Sequence, residues 1–394
     1  MSKRNISLLI GTLFLISTVF YGTKAPARSS LSSIVFSVEP TIEKVFPFEA
    51  EAEKVDSPPQ FTFKAIGGAG QPVQNAKIHL QIFTPSVNPF FTTDFPIVEG
   101  TKLLDVESIA PTGELKIQQM MPIRGNYQFK IDVAPAIGST FEPFQQTQIV
   151  SVQENGVKYQ NLAKLLLILF SVGVVGGWVI GAQQPIRSGE IAPQNVRLLL
   201  SGLTVVAIGV LLYVNVSAEM AQSHMSMAMD HETKSAPSST LVKDSISQGL
   251  DVRLSGDTNA MVGQPASLQL TVRDVKTQKP VSVNVQVVTT QLEHNWITFA
   301  MQGQADATGQ FSWQQQFFDG APHKVVAIVS PTANSPTQFK PIEVGETLEV
   351  EGVAPPLQVR LTSLAYFVGM VGLGLLSGLF IRRSSRPNHR LSAQ

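Results

Sequence analysis

The residues best suited to chemistry lie in one short run. Between positions 220 and 231 stand Met220, His224, Met225, Met227, Met229 and His231, four of the ten methionines and two of the six histidines of the chain. Thioether sulfur is soft and uncharged, and imidazole is borderline. Together they suit Cu(I), or Ag(I), far better than calcium or magnesium. Read as an extended strand, the run puts Met225, Met227, Met229 and His231 on one face. Read as a helix, it aligns Met220, His224, Met227 and His231 in one stripe. Either geometry gathers sulfur and nitrogen donors. The competing reading is a mobile linker, because methionine is also a plain, flexible apolar residue. The interspersed Ser, Asp and Gln argue against a buried core.

A second set is His294, Met301 and His323. His294 lies beside Trp296, and His323 follows a Gly-Ala-Pro turn at the start of an apolar alternation. Residues this far apart in sequence meet across a β-sandwich, which would give a His/Met site for copper. The bland reading is a histidine facing solvent. His79 alternates with Ile78 and Leu80 and is expected to face solvent; His389 belongs to a basic tail. Catalytic signatures (Ser-x-x-Lys, Gly-x-Ser-x-Gly, His-Glu-x-x-His, phosphate-cradling glycine loops) do not occur. Glu349 and Glu351 alternate as a solvated strand face. The expectation is a protein without enzyme activity.

Composition narrows the class. The 394 residues carry 29 basic and 29 acidic side chains, so net charge gives no reason to expect a nucleic-acid partner. Charged residues make up 15% and hydrophobic residues 43%, which fits a membrane protein with exported domains. The chain has no cysteine, so disulfides, thiolate zinc sites, iron–sulfur clusters and a cysteine nucleophile are excluded.

Four apolar stretches are candidates for the bilayer. Residues 6–21 follow Lys3 and Arg4 and are short, so 1–27 reads either as a signal peptide with Ala25 and Ala27 at its cleavage site or as a retained anchor. Stretches 165–182, 198–216 and 361–381 contain no charge and are long enough to span hydrocarbon. Arg187 and Arg197 flank the turn between the middle two, and Arg382, Arg383, Arg386 and Arg390 follow the last. The positive-inside rule puts these, with the 382–394 tail, on the cytoplasmic side. The segments 33–157 and 245–357 then lie outside, and 217–244 links a span to the second of them. Gly173, Gly177 and Gly181, and again Gly374 and Gly378, recur at four-residue spacing, which lets helices approach closely.

Both outer segments read as β-rich. Alternation is clear in Ile78/Leu80/Ile82, Tyr127/Phe129/Ile131, Leu250/Val252/Leu254 and Val283/Val285/Val287. They also match each other. Pro72 opens a strand in one as Pro280 does in the other, and Thr112-Gly113 is repeated by Thr308-Gly309, each followed by a strand. The first carries a longer insertion around 84–104. The fold class expected is a membrane-anchored all-β protein with two tandem immunoglobulin-like antiparallel β-sandwiches and three or four transmembrane helices.

A proline strand start, a Thr-Gly turn and a final strand resemble the YtkA-like and FixH-like immunoglobulin-like modules of bacterial exported proteins. The resemblance implies a place beside copper-handling or oxidase-assembly proteins in a bacterial plasma (inner) membrane or internal membrane. The leading expectation is an envelope protein that binds Cu(I) at the membrane surface, for buffering, tolerance or delivery to a cuproprotein. The alternative is a membrane-anchored scaffold whose sandwiches bind other envelope proteins.

Overall fold

The computed structural model describes residues 32–48, 57–182 (69 and 89 excepted), 189, 191–203 (195 excepted), 240–333, 335 and 338–384. The run 220–231, the stretch 6–21, most of 198–216 and the tail from 385 lie outside the described residues.

Period-two alternation of apolar side chains builds the strands of the first module. One sheet has the order β1 (Ser33–Glu39), β2 (Gln60–Ile66), β5 (Glu114–Gln119). The other has β4 (Lys102–Ala110), β3 (Ala76–Phe83), β6 (Gly125–Pro135), β7 (Phe144–Val152). All these pairs are antiparallel. Phe36, Phe61 and Phe63 of the first sheet meet Phe129 of the second at ring separations of 5.2 to 5.9 Å. Burial of each such side chain contributes about 1.5–3 kcal/mol. The two sheets therefore face each other as an immunoglobulin-like sandwich. Tyr127 locks the turn into β6: its hydroxyl donates to the Ile123 carbonyl at 2.6 Å and accepts from the Ile123 amide at 2.9 Å. This is the tyrosine corner of such sandwiches.

The second module repeats the plan. β9 (Leu250–Asp257), β11 (Pro265–Asp274) and β14 (Gln310–Gln316) form one sheet, extended at its edge by β8 (Thr240–Ser247). β13 (Trp296–Gln304), β12 (Val283–Gln291), β15 (His323–Pro331) and β16 (Ile342–Glu351) form the other, with β10 (Asn259–Met261) parallel to β16. Gly113 and Gly309 are equivalent: φ is 71° and 70°, and each carbonyl accepts from the facing strand at 2.8 Å. A side chain there would be strained and would meet the backbone opposite. The prolines are also equivalent, but they do not open the strands. Each makes a lone bridge, Pro72 to Ile66 and Pro280 to Arg273, ahead of β3 and β12. Proline lacks the N–H a continuing ladder needs.

The modules are fused through their sheets. β5 pairs antiparallel with β13, and β4 pairs antiparallel with β14. The registers mirror one another: Gln119 faces Phe299 as Gln315 faces Leu104, and Ile117 faces Met301 as Trp313 faces Val106. A pseudo-twofold axis thus runs between the modules, and each sheet of one continues into a sheet of the other. A cluster of Phe48 and Phe95 from the first module with Trp296 and Phe318 from the second, at 5.1 to 6.0 Å, fills the junction.

Because β13 runs against β5, the two modules point the same way, and both last strands deliver the chain to the same end of the head. An apolar helix follows each: α1 (Gly156–Ile180) after β7 and α2 (Leu357–Ser384) after β16. Asn155 caps α1, accepting from the Val157 amide at 3.0 Å, so the helix begins well before the apolar stretch and the first module closes at Val152. At 25 and 28 residues, both helices are long and apolar enough to cross a membrane. They run parallel. A methyl group on Gly173 would lie 3.0 Å from the Gly374 Cα, and one on Gly374 would lie 3.0 Å from the Gly173 Cα; one turn on, Gly177 faces the backbone of Leu375 and Leu379, and Gly378 that of Val174 and Trp178. The glycine spacing therefore does bring backbones together, and the repeat includes the helix as well as the sandwich.

Candidate functional site

The structure does not bring His294, Met301 and His323 together. His294 sits exposed in the β12–β13 turn, its ring stacked on Trp296 at 4.4 Å. Met301 points into the core, 2% exposed, between Val287 and Ile117 on the neighbouring strands. His323 is 1% exposed and pairs in register with Gln291. Met301 is level with Ala327, four residues along β15 from His323, or about 13 Å at the rise of a strand. The expected His/Met site therefore does not form, for a reason of register: Met301 and His323 both face the core but stand four residues apart along the ladder, and His294 lies in the exposed turn. The His323 Nδ1 donates to the Ala321 carbonyl at 2.7 Å, and its ring meets the Phe317 edge at 4.8 Å. Burial holds its pKa below the usual histidine value, against the opposing pull of the Ala321 carbonyl and Asp319.

A polar cluster that the sequence reading missed lies on the outer face of the first module. His79 is partly buried instead of facing solvent freely. Its Nε2 is 2.7 Å from Asp105, and its Nδ1 is 3.6 Å from Asp132. Asp105 also accepts from Lys102 at 2.6 Å and from Gln81 at 2.8 Å. Burial pushes the Asp105 carboxyl up, but donation by Lys102, Gln81 and His79 outweighs it and leaves the group below the usual carboxylate range. Both nitrogens of His79 thus face carboxylates. The signal for this cluster was half present: His79 and Gln81 share a face of β3, but Asp105 joins them only through the β3–β4 register.

Among the described residues no three His, Cys, Asp or Glu side chains are grouped to hold a metal. The donors of 220–231 lie outside them, and what is described is how the chain approaches that run. Residues 196–203 are helical, with Leu199 packed over Gly176 of α1, and after the run the chain enters β8 at Thr240.

No protein-family model matches the chain, and no curated protein matches its sequence. Among solved structures it is similar to a copper-bound variant of FetP from uropathogenic Escherichia coli, at 9% identity over 29% of this chain and 94% of that one, with a TM-score of 0.21. It is also similar to the D0-D1 domain of Intimin, at 12% identity over 81% and 99% with a TM-score of 0.18. A two-domain fibronectin type III segment of chicken tenascin matches at 8% identity over 75% and 95%, with a TM-score of 0.15. Likenesses this slight carry no argument about function, and the fold rests on the strand pairing itself.

Proposed function

We propose that this is a non-enzymatic, membrane-anchored envelope protein that holds Cu(I) at the head side of the bilayer, in Met220, His224, Met225, Met227, Met229 and His231. Its role would be to buffer the metal, confer tolerance or deliver it to a cuproprotein. The carrying observation is the parallel exit of α1 and α2 from one end of the head. Ile180 ends α1 far from the head, while Thr240 begins β8 inside it. The 25 residues of α1 are about 37 Å long. The chain between must recross that distance, and the apolar stretch 198–216 is suited to do so. A crossing by that stretch would bring 220–231 back to the head side of the bilayer. The arginines after α2 belong to the cytoplasmic side and the head to the outside of a bacterial plasma or internal membrane.

The test is a Cu(I) titration of the full-length protein against a competing chelator, with Met225, Met227 and Met229 intact or replaced by leucine. Leucine keeps the apolar bulk and removes the sulfur. The variant is expected to lose affinity; where thioethers dominate, the parent keeps most of its affinity down to about pH 5, because a thioether has no titrating proton, whereas a site dominated by His224 and His231 weakens as the imidazoles protonate. If the triple variant binds as tightly as the parent, the run is a linker. A scaffold function then takes its place, favoured by a head in which His294, Met301 and His323 stay apart.

A further inference from the structure

On the head side of the Gly374 crossing, the β3–β4 connection and the two helices line a groove of 720 Å³. Away from the head its walls are apolar, with Leu162, Leu166, Met370 and Leu373 among them. Against the head the lining carries two cations and two carboxylates. Arg124 lies 2.9 Å from Glu154; Lys158 lies 3.8 Å from Glu154 and pairs with Asp94. The loop is fixed by Tyr366, whose hydroxyl donates to the Phe90 carbonyl at 3.0 Å and whose ring stacks on Phe91 at 6.4 Å. Phe90 and Phe91 are nonetheless each 65% exposed, beside Tyr366 of α2.

We propose that this groove holds one acyl chain of a zwitterionic phospholipid, its phosphate against Lys158 and Arg124 and its amine against Asp94 and Glu154. Phe90 and Phe91 dip into the same leaflet. This inference rests on the membrane-anchored reading above. The occupant follows from complementarity: one end of the groove is apolar, and the other is charged in both senses with no net sign. An anionic headgroup would meet as many carboxylates as cations, and a purely apolar ligand covering the charged end would desolvate it without offering a polar partner, at a cost. Aromatic side chains at a helix entry suit the interfacial zone of a bilayer.

The test uses the full-length protein, purified in mild detergent and titrated with phosphatidylethanolamine or phosphatidylglycerol under native mass spectrometry. One phosphatidylethanolamine is expected to be retained in preference to phosphatidylglycerol. Met370→Trp, which fills the groove, is expected to weaken retention roughly tenfold or more. On the unaltered protein, a phosphatidylethanolamine with a diazirine in its acyl chain should label 162–166 and 370–373. Equal retention of phosphatidylglycerol, or labelling spread evenly along both helices, overturns the proposal. So does an efficient disulfide between Leu166→Cys and Leu212→Cys, which would give the groove to the chain's own segment 204–216. Alkaline carbonate extraction of membranes separates the two readings: release of the protein defeats the anchoring itself, whereas retention without a bound lipid defeats only this site.

Discussion

Tyr127 and His323 each stand fourteen residues after an equivalent turn glycine, Gly113 and Gly309, and each lies among the first, turn-side residues of the penultimate strand of its module. Tyrosine satisfies the turn with a hydroxyl that stays neutral, its pKa raised further by burial. Histidine does so with a ring that can charge. Burial lowers the folded-state pKa of His323 below 6.5. Between that lowered value and 6.5 the unfolded chain binds more protons, so stability falls as pH drops through this window and levels once the folded ring also protonates. His323→Tyr should therefore flatten the acid-side decline in the melting temperature of the head, with a change of about 1 kcal/mol or less at neutral pH. An unchanged decline would assign the pH dependence elsewhere. The equivalence was legible once the Thr-Gly repeat was seen, because the spacing is fixed. The burial of Met301 was legible too, since it alternates with Phe299. What could not be read was that His323 lies beside a backbone carbonyl and a phenylalanine edge and not beside another donor. That depends on how far along β15 the cross-strand register falls.

At the scale of elements, most strands follow from alternation, and the paired glycines of the helices follow from their four-residue spacing. Helix starts were read less well, because Asn155 acts as a cap in a polar stretch that hydropathy alone does not mark. The reciprocal packing makes a sharp prediction. A leucine at Gly177 would collide with the Leu375 backbone and part the helices, whereas a leucine at Gly372 enters open space. Gly177→Leu should cost about 1–3 kcal/mol in detergent-solubilised protein, and Gly372→Leu should be neutral to within about 0.5 kcal/mol. Matching losses in thermal or denaturant unfolding would mean that the helices are not held by this contact.

At the scale of the molecule, nothing in the local pattern announced that β5 would pair with β13 and β4 with β14. Those ladders join residues 180 to 211 positions apart, and periodicity carries no information about partners at that range. Their consequence is that neither module presents those edges to solvent. A fragment of residues 32–182 would expose β4 and β5 as open edges, which invite strand pairing. It is expected to self-associate, and a monodisperse, folded monomer by light scattering would show that the module tolerates the loss of its neighbour.

The pseudo-twofold axis also carries a history. Two sandwiches joined by reciprocal edges, each followed by a helix that meets its counterpart through the same two glycines, have the geometry of a symmetric homodimer of single-pass chains. Joining two such chains end to end poses a problem of direction. On the membrane-anchored reading proposed above, the first copy ends on the wrong side of the bilayer for the second to begin, and one additional crossing restores the orientation. The stretch 198–216 is suited by length and apolarity to supply that crossing, and the methionine- and histidine-bearing segment follows it in the sequence, where an ancestral half would have had no counterpart. Novelty in this chain is then to be sought in its splice, where neither copy constrains the sequence.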